Sequence, residues 1–411
     1  MTRAQADVLV IGAGPAGSVA AALLARRGFS VRVLEREKFP RFSIGESLLA
    51  CSVELLQEAG MFDAVSARNF QFKNGAVFDR NGELSEFNFA DKSSVGASFT
   101  FQVPRAEFDA TLAAEAQRQG ADIRFEVEIT AVDFGEATPR VTSRTAAGEI
   151  ETHAARFVLD ASGFGRTLPN LLGLDRPSAF PPRGAIFTHV RDNTIAGAFD
   201  RQKIRIGVHP AEHDVWSWLI PFSNGHASVG VVASVGHHQA RTGSAEQRFW
   251  QALQAEPRLH TLLANARTVR PVGEVIGYAA TVSQLHGRHF ALLGNAAEFL
   301  DPVFSSGVTI AMKSASLAAA VLERQLRGAS VDWEREFAAP LQYGVETFRA
   351  FVTGWYDGTL QDVIFFGRAQ HDIRRMICSV LAGYAWDQAN PYTGPQAARR
   401  LRALADTCRA G

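Results

Sequence analysis

Residues 7–35 leave this chain little choice of fold. An apolar run, DVLVI, ends in Gly12-Ala13-Gly14-Pro15-Ala16-Gly17. A strongly helix-forming stretch follows over 20–25 and stops at Gly28. The chain is apolar again over 31–34 and closes on Glu35. This is G-x-G-x-x-G set between a strand and a helix, with an acid 23 positions after Gly12. Gly12 allows the tight turn, Gly14 lets the backbone approach a pyrophosphate, and Gly17 lets helix and strand pack closely. The helix N-terminus faces the phosphate charge, and Glu35 is placed to accept hydrogen bonds from a ribose. The unit predicts a dinucleotide-binding α/β domain at the start of the chain, with Pro15, Ala16 and Arg36 beside the ligand.

The rest of the chain divides by pattern. Residues 105–133 read as helix then strand, and RFVLDASGFG reads as an apolar strand ending at Asp160 that returns to the first sheet. Over 183–235 the pattern changes to short extended runs, KIRIGVHP, DVWSWLIPF and HASVGVVAS, separated by turn residues. These predict antiparallel strands of a second sheet. Residues 289–326 return to strand, turn and long helix, and the last 70 or so residues are helical and rich in aromatics. The expected domains are a discontinuous dinucleotide domain (1–75, 100–175 and 270–335), a substrate-side sheet (76–99 and 176–269) and a helical C-terminal region (336–411).

Composition removes several classes of function. The 42 basic and 42 acidic residues among 411 cancel, which argues against nucleic acid or an anionic membrane as partner. No apolar run approaches the roughly 18 residues of a membrane span, and the N-terminus shows no secretory pattern. Cys51, Cys378 and Cys408 are scattered, so neither a disulfide framework nor a cysteine-ligated metal is expected. His237-His238 are adjacent and point apart, and no metal site is expected. The cytoplasm is the expected location. Five lysines stand against 37 arginines, so a lysine here carries more information than usual.

A second element, LLGNAAEFLDP, lies far from the first glycine loop, and here the sequence resembles the FAD-dependent monooxygenase superfamily. There a late segment holds the flavin end while the N-terminal loop holds the ADP end. This chain has Gly294-Asn295 where the usual motif is Gly-Asp. The resemblance narrows to the flavin-dependent halogenases, phenol and pyrrole branch. Trp216-Ser217-Trp218-Leu219-Ile220-Pro221 satisfies every fixed position of W-x-W-x-I-P. IGESLLA matches the family's G-E-S loop, GNAAEFLDPVFSSGV its flavin and halide segment, and Lys73 falls where the family places its essential lysine. The match covers roughly residues 7–325. Phe304 stands where the tryptophan-specific branch has a glutamate, which argues against a tryptophan substrate.

The resemblance implies a hydroxybenzoate-hydroxylase-type FAD domain with an inserted antiparallel substrate domain. It implies FAD used as FADH2 from a separate flavin reductase, O2, chloride or bromide, and an aromatic substrate, free or tethered to a carrier protein. Hypohalous acid made at the flavin would travel to Lys73. Glu46 would orient that oxidant or accept the ring proton; a structural loop carboxylate is the alternative. Arg41, Ser47, Arg105, Val127, Asp160, Asn295, Asp301 and Gly307 are expected at the flavin, with Ser306 and Gly307 holding halide. Trp216 and Trp218, on one face of a strand, would wall flavin from substrate; the alternative is a paired-indole core. Two other readings stay open: an aromatic hydroxylase using the flavin hydroperoxide to insert oxygen directly, and a flavoprotein that docks on another protein.

Overall fold

The computed structural model describes residues 4–135, 138–178, 180–367 and 371–410. Its first layer is an eight-stranded sheet seeded by the opening strand Ala4–Ile11. Val8 and Val10 face one core and Leu9 and Ile11 another, as expected of a strand covered on both faces. Parallel neighbours are Val31–Glu35 on one side and Ile150–Asp160 on the other, extended by Asp122–Phe125 and Phe290–Leu292. Helix Pro15–Arg26 packs between this sheet and helix Gly307–Leu326. Gly17 is what permits the approach: a Cβ there would lie 1.9 Å from the Gly12 carbonyl oxygen. We expect Gly17→Ala to displace the glycine loop and weaken binding of the expected dinucleotide by about tenfold or more, checked by fluorescence titration of the ligand-free protein.

The second sheet also has eight strands. Arg183–Arg191, His226–Ser234, Trp216–Pro221 and Lys203–Val208 run antiparallel in that spatial order. Lys203–Val208 then pairs in parallel with Gly75–Arg80, so the sheet is mixed. One expected boundary moves. Strand Gly273–Ile276 pairs with Arg183–Arg191 in this sheet, so the return to the FAD domain falls after residue 276 rather than at 270. The cause is the edge of Arg183–Arg191, whose free hydrogen-bonding groups recruit the next extended segment.

The register of the Trp strand explains its packing. Trp218 lies opposite Gly230, and a Cβ on Gly230 would meet the indole at 2.3 Å. The C-terminal helices Ala339–Tyr356, Thr359–Phe365, His371–Leu381 and Ala397–Ala410 close the molecule. Phe348, Phe351, Trp355 and Phe365 are buried core. No helix among the described residues is long and apolar enough to cross a membrane. No cluster of three His, Cys, Asp or Glu residues among them is placed to hold a metal ion.

Candidate active site

A cavity of about 700 Å³ runs between the two layers, within the range that takes a cofactor. At one end lies the glycine loop. Gly14 is the N-cap of the first helix and no side chain caps it, so the first-turn N–H groups are free for an anion. Glu35 is buried, and its two oxygens accept from the Ala13 and Glu37 backbone N–H groups at 2.7 and 2.9 Å. Each oxygen keeps a second lone pair for a hydroxyl. Buried Asp109 pins two arginines: Arg41 at 2.9 Å, and Arg105 through two bonds at 2.8 and 3.0 Å. The Arg41 Nη2 comes within 3.6 Å of a Cβ built on Gly14. A fixed cation therefore stands beside the loop where a diphosphate would lie. Arg36 and Val127 line the same end.

At the other end, Ser305 adopts φ 56°, and Ser306 caps the 20-residue helix Gly307–Leu326 without a side-chain cap bond. Asn295, Asp301, Ser306 and Gly307 all line the wall. Asp301 accepts from Val303 N–H at 3.2 Å and from the hydroxyls of Tyr278 and Tyr356, each at 2.6 Å. Burial pushes its carboxyl up and both phenols well above 10. Two uncapped helix N-termini thus open on one elongated cavity, one flanked by paired arginines. This donor set fits an FAD with its diphosphate at the first helix and its flavin at the second.

Trp216 and Trp218 stand together in the wall with Ile220, their ring centroids 5.8 Å apart. The Trp216 Nε1 donates to Tyr356 Oη at 2.9 Å, and Trp218 Nε1 to Ser228 Oγ at 3.0 Å. Both indoles are buried in the core and both also line the cavity wall. Lys73 lies outside the wall, 1% exposed, 5.4 Å from the Phe89 ring centre. Its Nζ donates to Ser47 Oγ and Leu48 O, both at 2.7 Å. Burial pulls the amine down to about 7. Ser47 is in the wall, so it ties the amine to the cavity.

Two expected contacts differ. Asp160 does not line the cavity; it is buried and accepts from Ser162 and Leu168 N–H at 2.8 and 2.6 Å, fixing the loop that follows its strand. Gly17 acts by packing, behind the wall. The sequence held no sign of His189, whose Nε2 sits 2.9 Å from both oxygens of fully buried Glu46. Nor did it signal Arg270, whose guanidinium carbon lies 3.2 Å from the Phe42 ring centre, or Tyr278 in the Asp301 triad. Only the pairing of distant segments creates these groups.

Comparison with known proteins agrees with this geometry. The profile of the FAD binding domain family matches residues 5–335. The 1H-pyrrole-2-carbonyl-[peptidyl-carrier protein] chlorinase of Pseudomonas fluorescens is 29% identical over 383 residues, covering 85% of this chain and 83% of that protein. The tryptophan 2-halogenase of Chondromyces crocatus is 34% identical over 328 residues. That alignment covers 78% of this chain, which spans less than two thirds of the relative, 62%. A solved flavoprotein/dehydrogenase from Cytophaga hutchinsonii is 45% identical, with TM-score 0.95 and 99% of both chains covered. The protein is an FAD-dependent oxidoreductase of the FAD binding domain family. Within that class it belongs to the flavin-dependent halogenases.

Proposed function

We propose that this protein halogenates an electron-rich aromatic ring of the phenol or pyrrole type, free or carrier-tethered. Chloride or bromide, O2 and FADH2 from a separate flavin reductase would be its other reactants. The observation that carries the reading is Lys73: a buried amine held near neutrality and joined to the FAD cavity by one serine. The chlorinase relative, whose name specifies a carrier-bound pyrrole, supports the tethered form. Phe304, buried against Phe351 and Trp355, leaves the glutamate position of the tryptophan branch apolar.

Bound as FADH2, the cofactor supplies with O2 the oxidising equivalent that turns halide into hypohalous acid. Arg41, Arg105, Glu35 and the glycine loop hold the ADP side, and the free N–H groups at Gly307 favour halide beside the flavin. Trp216, Trp218 and Ile220 exclude the organic ring. The amine of Lys73, with two protons donated to Ser47 and Leu48, keeps its lone pair for the halogen oxidant when neutral. A permanently charged arginine would offer no such lone pair. Glu46 is placed at the wall for proton transfer.

The test is mass spectrometry of reactions with reduced flavin, bromide or chloride, and a panel of phenols and pyrroles, free and carrier-bound. Halogenated product is expected, and Lys73→Ala should lower its rate by about 100-fold or more. Hydroxylated product formed without halide, and indifferent to Lys73, would establish the monooxygenase reading instead.

A further inference from the structure

Glu46 and His189 are 143 positions apart and bring together the loop after the second strand and the second sheet. Glu46 is 0% exposed and lines the cavity. His189 shares a strand face with Ala185 and Phe187, both in the cavity wall. It continues that face outward, and its side chain is 17% exposed. Phe42 and Phe222 flank the imidazole edge-on, with ring centres at 5.7 and 5.2 Å. The pair therefore has one end buried at the cavity wall and the other in reach of water.

Reaction stoichiometry gives such a pair a task. Balanced, Ar–H, halide, FADH2, O2 and one proton yield Ar–X, FAD and two waters. Each turnover must therefore draw a proton into a cavity walled by indoles. We propose that Glu46 and His189 form the proton inlet of this site, an inference that rests on the halogenation reading. A proton from solvent hydronium bonds to the outer nitrogen of His189, the Nε2–H bond breaks, and an O–H bond forms on Glu46. Glu46 then passes the proton to an O2-derived oxygen that leaves as water, and a ring flip restores the imidazole tautomer. Glu46 meets the reacting atoms; His189 is a positioning residue that acts through it. The charged groups facing the pair are Arg270, stacked on Phe42 and electrostatically coupled to Glu46; Arg105, bonded to Ile44 and Gly45 carbonyls; and Lys73, bonded to Ser47.

The test is His189→Gln, which keeps a donor for Glu46 and removes the relay. At pH 8 kcat should fall about 10- to 100-fold, with KM for the aromatic and FAD affinity unchanged. The loss should shrink at pH 6, where protons are abundant, and added imidazole should restore part of it. Independently of turnover, 15N-histidine NMR of the FAD-free protein should show a hydrogen-bonded His189 Nε2–H that shifts in Glu46→Gln. A halogenating wild type whose His189→Gln variant keeps its rate and pH profile overturns the inlet alone. An unmoved His189 signal in Glu46→Gln overturns the pair. A wild type that never halogenates overturns the functional reading and removes the inlet's task with it.

Discussion

Lys73→Met should lose halogenation and, at pH 6, gain stability. Methionine is unbranched, one atom shorter and uncharged, whereas the amine titrates near 7 in the folded protein against 10.5 unpaired in water, with burial as the cause. Between those values the unfolded chain binds more protons, so wild-type stability rises with pH across that window and is most penalised below it. The full penalty is on the order of 5 kcal/mol. Methionine removes it, but leaves Ser47 Oγ and Leu48 O without the donor they now share, at about 1–3 kcal/mol. The expected net gain at pH 6 is about 2–4 kcal/mol, turning into a net loss towards pH 10, where only the missing donor counts. Denaturant unfolding at the two pH values checks it. A methionine variant less stable than wild type at pH 6 would show that the amine carries no burial cost. The stored cost belongs with function: a site that needs a neutral amine has to bury one.

Glu256→Gln should stabilise the protein at pH 9 and leave it unchanged near pH 5. Glu256 is 6% exposed and caps no donor with its Oε1, which lacks a hydrogen-bond partner. Arg205 and Arg258 beside it bind Asp79 instead. Burial, and then the Asp79 charge, push its carboxyl up to about 8 from 4.5. The folded chain binds the extra proton between those values. Stability from the protonated form is therefore complete below 4.5 and lost as pH rises through 8. Above 8 the cost is on the order of 5 kcal/mol, and a neutral amide of the same shape escapes it. Melting temperatures at pH 5 and 9 decide: a variant no more stable than wild type at pH 9 refutes the burial cost. Glu256 lies behind Ser217, on the far face of the Trp strand, so halogenation at pH 7 should change little.

What the sequence by itself determined is local. The strand, glycine turn and helix of 7–35 follow from apolar runs, helix propensity and three glycines. The alternation of Trp216, Trp218 and Ile220 puts them on one face because strand side chains repeat every two residues. The late segment around Gly294–Gly307 was legible as strand, turn and helix for the same reason, while its place at the flavin end was what the family resemblance implied. Tertiary structure decided whatever depends on segments meeting across the fold. The Trp216 indole finds Tyr356 140 positions away, and Asp109, one helical turn from Arg105 on the same helix, reaches Arg41 68 positions away. Asp160, set beside the glycine loop by its strand, turns to its own backbone because nearby N–H groups satisfy a buried carboxylate sooner than a ligand would. Lys73 illustrates the division most plainly. Sequence position named it, but only packing that strips water from its amine and leaves Ser47 and Leu48 as acceptors gives it a neutral form at physiological pH, because charge is costly where solvent is excluded.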